Sequence, residues 1–250
     1  MQAELYVIPT HPCATAMLML EHKRIPYRRV DLPALLHPLA LRLQGFRGNA
    51  APFRDIDGQP HRILALADRM GTVPALRFDG SRVMRNRDIA RFLEKVKPDP
   101  PLFPAEPTRR LAVQDAERWG DEIFQMAARR LLLAAMLHGR DGILDRGQDG
   151  RLGPVISRHE TARFAVARIV ARIAFAVDAR SDSDLLAALP VMLDRIDAWI
   201  EAQVLNGERL NAADFMIVTS LALICYRPDV RPEIERRPAI RLLDRVLPEP

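Results

Sequence analysis

The stretch Gly71-Thr72-Val73-Pro74-Ala75-Leu76-Arg77-Phe78-Asp79-Gly80 places a proline at the entry of a short apolar strand that ends in an Asp-Gly turn. Proline has no N–H to donate to a strand ladder, so it is expected at a strand's first residue or at an edge. Because a cis peptide costs little at an X-Pro bond, we predict one between Val73 and Pro74. Glycine accepts the positive φ of a tight hairpin turn, so Asp79-Gly80 predicts a hairpin at one edge of a small sheet.

The segments on both sides of this hairpin predict an alternation of strands and helices. Upstream, residues 4–8 form a nearly continuous apolar strand, Pro12 opens a helix, and residues 27–32 form a second strand. A strand, helix and strand in this order pair their strands in parallel. Downstream, residues 88–94 predict a further helix.

The order strand, helix, strand, helix, proline-led strand, hairpin strand, helix resembles the thioredoxin-like domain of the glutathione transferase superfamily. The fold class implied is an α/β thioredoxin-like N-terminal domain followed by an all-α helical bundle. In that family the loop before the cis-proline holds the backbone of a thiol peptide. The resemblance therefore implies that Val73 and Pro74 bind a thiol.

Composition and charge narrow the class of partner. The chain has 250 residues, of which 48% are apolar and 28% charged, as is typical of a soluble globular protein. The net charge is +5, yet the basic residues are spread along the chain and no dense basic run alternates with aromatic residues, so we predict no nucleic-acid partner. Only three of the 37 basic residues are lysines, which suggests a GC-rich bacterial genome.

Several patterns that would indicate another class are missing from the sequence. No basic leader with a long apolar stretch follows Met1, and no apolar run reaches the roughly 20 residues of a membrane helix, so we predict a cytoplasmic protein that does not bind membranes. Cys13 and Cys225 are too few for a disulfide framework. Without zinc-like spacing, a P-loop or a dinucleotide fingerprint, we predict no metal and no nucleotide cofactor.

A proline-rich stretch divides the chain. Residues 97–107 carry five prolines and cannot form a helix or a central strand. We predict a thiol-binding domain over residues 1–96, a linker over 97–107 and an all-α domain over 108–250. A similar proline-rich connector joins the two domains in the glutathione transferases.

The first domain is longer than the family pattern requires, and we predict an insertion at about residues 45–70. It contains glycines and prolines between two short helical pieces, residues 35–43 and 63–70. Long loops inside compact domains tend to be lids or disordered segments. Its four arginines are either solvated loop residues or a cationic lid over an acidic thiol: Arg47, Arg54, Arg62 and Arg69.

After residue 107 the pattern predicts helices only. Besides a helix over residues 215–225, four are expected, over residues 108–138, 157–177, 183–204 and 228–247, with a glycine-rich break over 139–153. Pro190 is expected to bend the third of these four helices. Trp119, Phe124 and Trp199 are predicted on buried faces.

Asn211 and Asp214 predict a capping box at the start of a buried helix over residues 215–225. Asn211 can cap the helix, and Asp214, three residues later, can accept a hydrogen bond from the N–H of the cap residue. The pair resembles the capping module of glutathione transferases, in which the aspartate is structural. We therefore expect Asp214 to be buried.

The candidate catalytic residues lie in the turn Pro9-Thr10-His11-Pro12-Cys13. Aligned on Pro12-Cys13, it resembles the Ser-x-Pro-Cys turn of the serine-type glutathione transferases and places Thr10 at the hydroxyl position. A hydrogen bond from Thr10 would stabilise a bound thiolate and lower the pKa of the thiol. The alternative is that Thr10 is a plain turn residue.

His11 and Cys13 are the other two candidates. His11 takes the position of the cysteine in the cysteine-type classes and could assist deprotonation, or it could be an exposed turn histidine without a role. Cys13 lies in the first helical turn, where the macrodipole favours a thiolate. In the serine-type turn, however, the equivalent cysteine packs inward and is inert.

The helix after the hairpin departs from the family pattern. The family carries an acidic residue and then a serine there, which hold the γ-glutamyl end of glutathione, whereas this chain has Arg85 and Asn86. Asn86 is predicted to cap the helix and to offer N–H groups to a carboxylate. Arg85 cannot replace an acid that meets an ammonium group, because its charge is opposite. The thiol is therefore glutathione or another low-molecular-weight thiol.

The resemblance implies an enzyme that conjugates such a thiol to a small hydrophobic electrophile, in detoxification, and that forms a homodimer through its first domain. Two alternatives stay open. One is a non-catalytic ligand-binding protein that has lost thiol recognition, as Arg85 suggests. The other is a thiol-disulfide or dehalogenating enzyme that uses Cys13.

Overall fold

A small mixed sheet opens the structure, a computed structural model that describes residues 2–8, 10–33, 36–48, 71–137, 177 and 179–247. Its strand order is β2-β1-β3-β4, with β1 parallel to β2 and antiparallel to β3. The parallel pair and the edge hairpin predicted from the sequence are both confirmed. The strands are β1 (Ala3–Val7), β2 (Arg28–Asp31), β3 (Ala75–Phe78) and β4 (Ser81–Met84).

The hairpin turn has the backbone that its sequence predicts. Asp79 and Gly80 both have positive φ, 44° and 87°, as a primed two-residue turn requires. The turn joins β3 to β4, with Phe78 opposite Ser81. Its tip is tied to the first strand by the Asp79 carboxylate, which accepts a hydrogen bond from the Gln2 N–H over 2.8 Å.

Helices flank the sheet and follow it along the chain. The sheet-containing part ends with the third helix below, and the helical part begins with the fourth. Their bounds are α1 (His11–His22), α2 (His37–Leu43), α3 (Asn86–Val96), α4 (Pro107–Trp119), α5 (Gln125–Leu137), α6 (Ala179–Glu201), α7 (Ala212–Ile224), α8 (Arg231–Glu235) and α9 (Ala239–Val246). The predicted fold class, a thioredoxin-like domain followed by helices, is confirmed.

One continuous core joins the two parts. All five residues of β1 are buried, as expected for an inner strand covered on both faces. The main cluster of buried side chains runs from β1 and α1 through α3 to α4, α5 and α7. A smaller cluster lies on the other face of the sheet, where Tyr6 meets Phe46 edge to face at 5.4 Å. The start of α1 is thus packed against the helical part.

The predicted single helix over residues 108–138 is interrupted. Residues Gly120–Phe124 form a π-helical turn between α4 and α5. A side chain at Gly120 would bring its Cβ within 2.9 Å of Met216 Cγ, so glycine permits the close approach of α7 at this turn. Trp119 precedes the turn and Phe124 ends it, and both are buried, as predicted. Their rings stack at 5.1 Å.

The predicted last helix over residues 228–247 is wrong in one respect, because two short helices take its place. The helix α8 ends at Glu235, and Pro238 is the N-cap residue of α9. Proline has no N–H for the helical ladder, and it disfavours helical backbone at the preceding residue. The break follows from the Arg237-Pro238 pair.

The capping box predicted at the start of α7 is present. The Asn211 side chain accepts hydrogen bonds from the N–H groups of Ala213 and Asp214, and the Asp214 carboxylate accepts one from the Asn211 N–H over 2.8 Å. Asp214 is fully buried, as expected. It also accepts a hydrogen bond from the Asn206 N–H over 2.7 Å. The box therefore anchors the loop before α7 as well as the helix.

A buried amine holds the junction between the two parts. Lys23, at the end of α1, is completely buried, and its Nζ donates to Glu94 Oε2 over 2.6 Å. The same amine donates to the carbonyls of Lys97 and Pro98, at the beginning of the predicted linker. The linker residues Leu102 and Phe103 are buried in the core. The proline-rich stretch is therefore packed against both parts.

Some predictions lie outside the described residues. These are the larger part of the insertion with Arg54, Arg62 and Arg69, the break over residues 139–153 and most of the helix predicted over 157–177. Arg47, the one arginine of the insertion that is described, is exposed.

Candidate functional site

The turn between β1 and α1 holds the three candidate reactive side chains. Thr10 is the N-cap residue of α1, with extended backbone (φ −144°, ψ 149°), and its hydroxyl makes no hydrogen bond to the first helical N–H groups. Instead, the hydroxyl donates to Cys13 Sγ over 3.4 Å. The half-buried Thr10 hydroxyl is thus already directed toward a sulfur atom at the start of the helix.

Cys13 packs inward. Its residue surface is 1% exposed. Burial raises the pKa of the thiol, and the hydrogen bond from Thr10 offsets only part of that effect. Burial therefore outweighs the macrodipole of α1, which by itself would favour the thiolate. Cys13 thus has the inward packing that was expected if the cysteine of this turn is inert.

The expectation of an exposed turn histidine is wrong for His11. The residue is half-buried, and its Nε2 is buried without a hydrogen-bond partner in the described part of the chain. Burial lowers the pKa of His11 well below its ordinary value, the nearby Arg129 cation lowers it further, and the Gln125 carbonyl acts in the opposite direction. The imidazole is therefore neutral at physiological pH. The cause is α5, which lies over the turn.

Val73 and Pro74 lie beside this turn. Because Tyr6 is paired with Ala75, the residues that follow β1 are next to those that precede β3. The Val73–Pro74 bond is cis. The Pro74 carbonyl accepts a hydrogen bond from the Arg85 N–H over 2.9 Å, whereas no main-chain hydrogen bond joins Val73 to another described residue. The structure thus brings the predicted thiol-binding loop next to Thr10.

Arg85 is the N-cap residue of α3. Its φ of 74° lies in the left-handed region that few non-glycine residues adopt. The side chain is half-buried. Burial raises the pKa of Asp121 in the π-helical turn, and the charge of Arg85 offsets part of that shift. Arg85 is thus held at the boundary between the sheet-containing part and the helical part.

The predicted capping role of Asn86 is wrong. Asn86 is the first residue inside α3, and no side chain caps this helix. The Asn86 side chain is buried and donates from Nδ2 to the Pro12 carbonyl over 2.9 Å. Burial against α1 therefore takes the amide away from the helix end. The contact links the start of α3 to the start of α1, which brings both candidate binding segments together.

The helical part contributes three polar side chains that the sequence prediction missed. Gln125 Nε2 donates to Asp121 Oδ1 and Arg129 Nη2 donates to Gln125 Oε1, both over 3.2 Å. Burial raises the pKa of Asp121 and lowers that of Arg129 to about 10. Their four-residue spacing puts them on one helical face, which is the signal that could have found them.

The described residues hold no candidate metal site and no candidate membrane span. Among the described residues, no group of three or more histidine, cysteine and acidic side chains could hold a metal ion. In the same residues, no helix has the length and hydropathy needed to span a bilayer.

The four-stranded mixed sheet followed by helices is the fold of solved glutathione transferases. No family model matches the sequence, and no curated protein matches it either. The fold assignment therefore rests on solved structures.

Three of these structures resemble the chain over nearly its whole length. A glutathione S-transferase from Rhodospirillum rubrum has a TM-score of 0.59 and 21% identity, and the match covers 99% of this chain and 89% of that one. The β-etherase LigF from Sphingobium has a TM-score of 0.63 and 20% identity, and the match covers 100% of this chain and 96% of that one. A glutathione S-transferase from Ceriporiopsis subvermispora in complex with glutathione has a TM-score of 0.62 and 20% identity, and the match covers 98% of each chain. At such identities the similarity establishes the fold alone.

Proposed function

We propose that the chain is a glutathione transferase-like enzyme that conjugates a low-molecular-weight thiol to a small hydrophobic electrophile. The observation that carries the proposal is the Thr10 hydroxyl, which is not used to cap α1 and lies 3.4 Å from a sulfur atom. Cys13 Sγ shows that a sulfur atom can accept this hydrogen bond. The Thr10 hydroxyl would turn from the buried Cys13 Sγ to a bound thiolate, which would replace Cys13 as the acceptor.

Thr10 would act by stabilising the thiolate. A hydrogen bond to the charged form lowers the pKa of a thiol, and the N-terminus of α1 adds a favourable dipole. The thiol loses its proton to solvent. The thiolate then attacks the electrophile, its sulfur forms the new bond to carbon, and the leaving group departs with the electron pair of the bond that breaks. The N–H and carbonyl of Val73 would hold the main chain of the thiol beside Thr10.

The identity of the thiol depends on the start of α3. Glutathione is supported by two neighbours in the fold, one solved with glutathione and one with glutathione sulfonate. Arg85 argues for a different thiol, because its positive charge would repel the ammonium group of a γ-glutamyl end. We therefore propose glutathione or another low-molecular-weight thiol as co-substrate, with Arg85 and Asn86 at its far end.

The test is a conjugation assay with an activated halo-nitroarene and a panel of thiols that includes glutathione, cysteine and coenzyme A. We expect Thr10→Val, which keeps the shape of the side chain without its hydroxyl, to lower kcat by about 100-fold or more, as loss of one such donor does. Thr10→Ser keeps the hydroxyl and serves as the matched control. Equal activity in Thr10→Val and the wild type would contradict the role of Thr10.

A second candidate function is a non-catalytic ligand-binding protein, and Arg85 is the observation that favours it. A protein of this kind keeps the fold and binds a ligand without turning it over. Thermal shifts with thiols and with apolar ligands separate the two, because a ligand that binds the native state raises the melting temperature. A shift with apolar ligands but with no thiol, together with no turnover, would favour this function.

A further inference from the structure

Four charged side chains join α3 to the helical part, and we call them the interdomain cluster: Arg87, Arg91, Glu117 and Glu122. Arg87 and Arg91 lie one turn apart in α3. Arg91 Nη1 donates to Glu117 Oε1 over 2.6 Å, and Arg87 Nη1 donates to Glu122 Oε1 over 2.8 Å. Glu117 belongs to α4 and Glu122 to the π-helical turn, so the cluster spans the boundary between the two parts.

One contact of this cluster is incomplete. Glu117 Oε2 and Arg87 Nε are both buried and have no hydrogen-bond partner within the described residues. They face each other across the boundary at 4.0 Å, beyond hydrogen-bond distance. Leaving a buried charged acceptor and a buried charged donor unsatisfied is costly. An arrangement that joins these two atoms would remove both penalties at once.

The two arginines are held differently. Arg91 is fixed by Glu117, by the Arg87 carbonyl at 3.2 Å and by the ring of Phe103, whose centroid lies 4.7 Å from its guanidinium carbon. Arg87 lies nearer the start of α3 and directly follows Asn86. Arg87 is held through Nη1 by Glu122, and Asn86 is held by the Pro12 carbonyl. A small rotation of the first turn of α3 in which Glu122 and Pro12 follow these partners would move Arg87 Nε toward Glu117 and would move Arg85 and Asn86 with it.

We propose that Arg87 and Glu117 form a latch between the two parts. The first turn of α3 moves between the position described here and a closed one, in which Arg87 Nε donates a hydrogen bond to Glu117 Oε2. A movement of about 1 Å is enough to bring the atoms to the usual distance. A ligand at the start of α3 favours the closed position. Only this last step rests on the proposed function.

The movement is tested first in the ligand-free protein. Burial raises the pKa of Glu117 to about 7, so measurements at pH 8 keep the carboxylate ionised. We expect relaxation dispersion at the arginine Nε–H groups of nitrogen-15-labelled protein to show microsecond-to-millisecond exchange at Arg87 and none at Arg91. Arg87→Lys assigns the signal. Glu117→Gln should abolish the exchange, and Asp115→Asn, an exposed carboxylate of the same helix, should preserve it.

The ligand arm uses glutathione as the probe. By reciprocity, a ligand that favours closure binds more weakly when the latch is removed. We expect the dissociation constant of glutathione to rise about ten-fold in Glu117→Gln, because a charged hydrogen bond is lost. Asp115→Asn should bind as the wild type does. Glu117→Gln also weakens the pair with Arg91, and Arg87→Lys also changes the pair with Glu122. Because both changes remove the Arg87–Glu117 contact, the double variant should lose less affinity than the sum of the two single losses.

The results separate the two proposals. A static Arg87 signal that Glu117→Gln leaves unchanged would overturn the latch, whether or not glutathione binds. Exchange that Glu117→Gln abolishes supports the latch even if no thiol binds the wild type, an outcome that would contradict the proposed function instead. If glutathione binds the wild type and Glu117→Gln with equal affinity, the coupling of the latch to the ligand is wrong.

Discussion

At the start of α1, burial gives neighbouring side chains different chemistry. Cys13 is 1% exposed, and its buried thiol resists ionisation. His11 loses its affinity for protons in the same environment. Thr10, whose hydroxyl carries no charge to be desolvated, keeps its hydrogen-bonding capacity there. Burial is therefore the reason why a hydroxyl, rather than a thiol or an imidazole, is the best candidate for a direct contact with the substrate.

Replacing Cys13 separates the two thiol chemistries. We expect Cys13→Ala to keep conjugating activity within about two-fold and to lower the free energy of unfolding by about 1–2 kcal/mol, because a buried sulfur is lost. The measurements are the conjugation assay and urea denaturation. Leu111→Ala, at an exposed position on α4, is the control for stability. Abolished turnover in a folded Cys13→Ala protein would instead support the enzyme that uses Cys13.

His11 should make the protein less stable in mild acid. Its pKa in the folded protein is well below 6.5, so below pH 6.5 the unfolded chain binds a proton that the folded chain does not. The stability contributed by the neutral imidazole is complete above pH 6.5, and we expect its loss below that pH, at up to about 1.4 kcal/mol per pH unit. Melting temperatures of wild type and His11→Gln between pH 5 and 8 measure it.

The difference between these two melting curves is the informative quantity. Glu117 and Asp214, with pKa values raised by burial to about 7 and about 6, lose stabilising effect as the pH rises, so they act in the opposite direction in both proteins. His11→Gln leaves them unchanged. Parallel curves for the two proteins would mean that His11 titrates normally.

At the residue scale, the sequence could not predict contacts between residues that are distant in the chain. The inward packing of Cys13 was one of the two possibilities that the sequence offered, and the structure shows it. The catalytic role of Thr10 stays a prediction. The burial of His11 could not be predicted, because α5, which covers it, lies more than 100 residues away in the chain. The predicted capping role of Asn86 was wrong for the same reason, because its hydrogen-bond partner is the distant Pro12 carbonyl.

Among the elements, α7 illustrates how local chemistry fixes a buried helix. Its N-terminal N–H groups are satisfied by Asn211, and the Asp214 carboxylate accepts hydrogen bonds from the N–H groups of Asn206 and Asn211. The Asn211 amide also donates to the Val204 carbonyl over 2.9 Å. The helix is buried nearly all round, so polar groups left unsatisfied at its start would be costly.

Removing the cap should therefore destabilise the whole protein. We expect Asn211→Ala to lower the free energy of unfolding by about 2 kcal/mol, since it removes the cap and the hydrogen bond to Val204. The corresponding drop in melting temperature is about 4–8 °C for a chain of this size. Calorimetry measures it, with Asp184→Ala on the exposed face of α6 as the control. Equal melting temperatures for the two variants would mean that the cap does not limit stability.

Element boundaries followed the sequence wherever a local signal marks them. The Asp79-Gly80 turn, Pro12 in α1 and the Asn211 cap are such signals. Gly120 is the only local sequence signal of the π-helical turn, and glycine is required there because Met216 approaches closely. The break before α9 could have been predicted from Pro238.

Across the whole molecule, the order of the elements was enough to predict the fold. A parallel βαβ unit followed by a proline-led antiparallel hairpin leaves few arrangements for a four-stranded sheet, and the proline-rich linker separates it from the helices. The relation between the two parts was not predictable. It depends on the shared apolar core and on ion pairs such as Arg91–Glu117, whose members are separated by the linker.

The resemblance also predicts a homodimer in which the first domain of one chain meets the helices of the other. We expect sedimentation equilibrium at micromolar concentration to give about twice the chain mass of 28.2 kDa. The sedimentation should not depend on added thiol if the dimer is permanent. A single species at the mass of one chain would rule out this assembly.

The buried amine at the end of α1 has a practical consequence for labelling. Lys23 is enclosed by Glu94 and two main-chain carbonyls, and Lys97 donates its amine to the Arg24 carbonyl over 3.1 Å. The sequence contains one other lysine, Lys95, and it is exposed. Among the lysine side chains, a succinimidyl dye should therefore mark that of Lys95 first. With the α-amino group blocked beforehand, because it is less protonated than a lysine at neutral pH, a fluorophore then reports from the helix that begins at the candidate site.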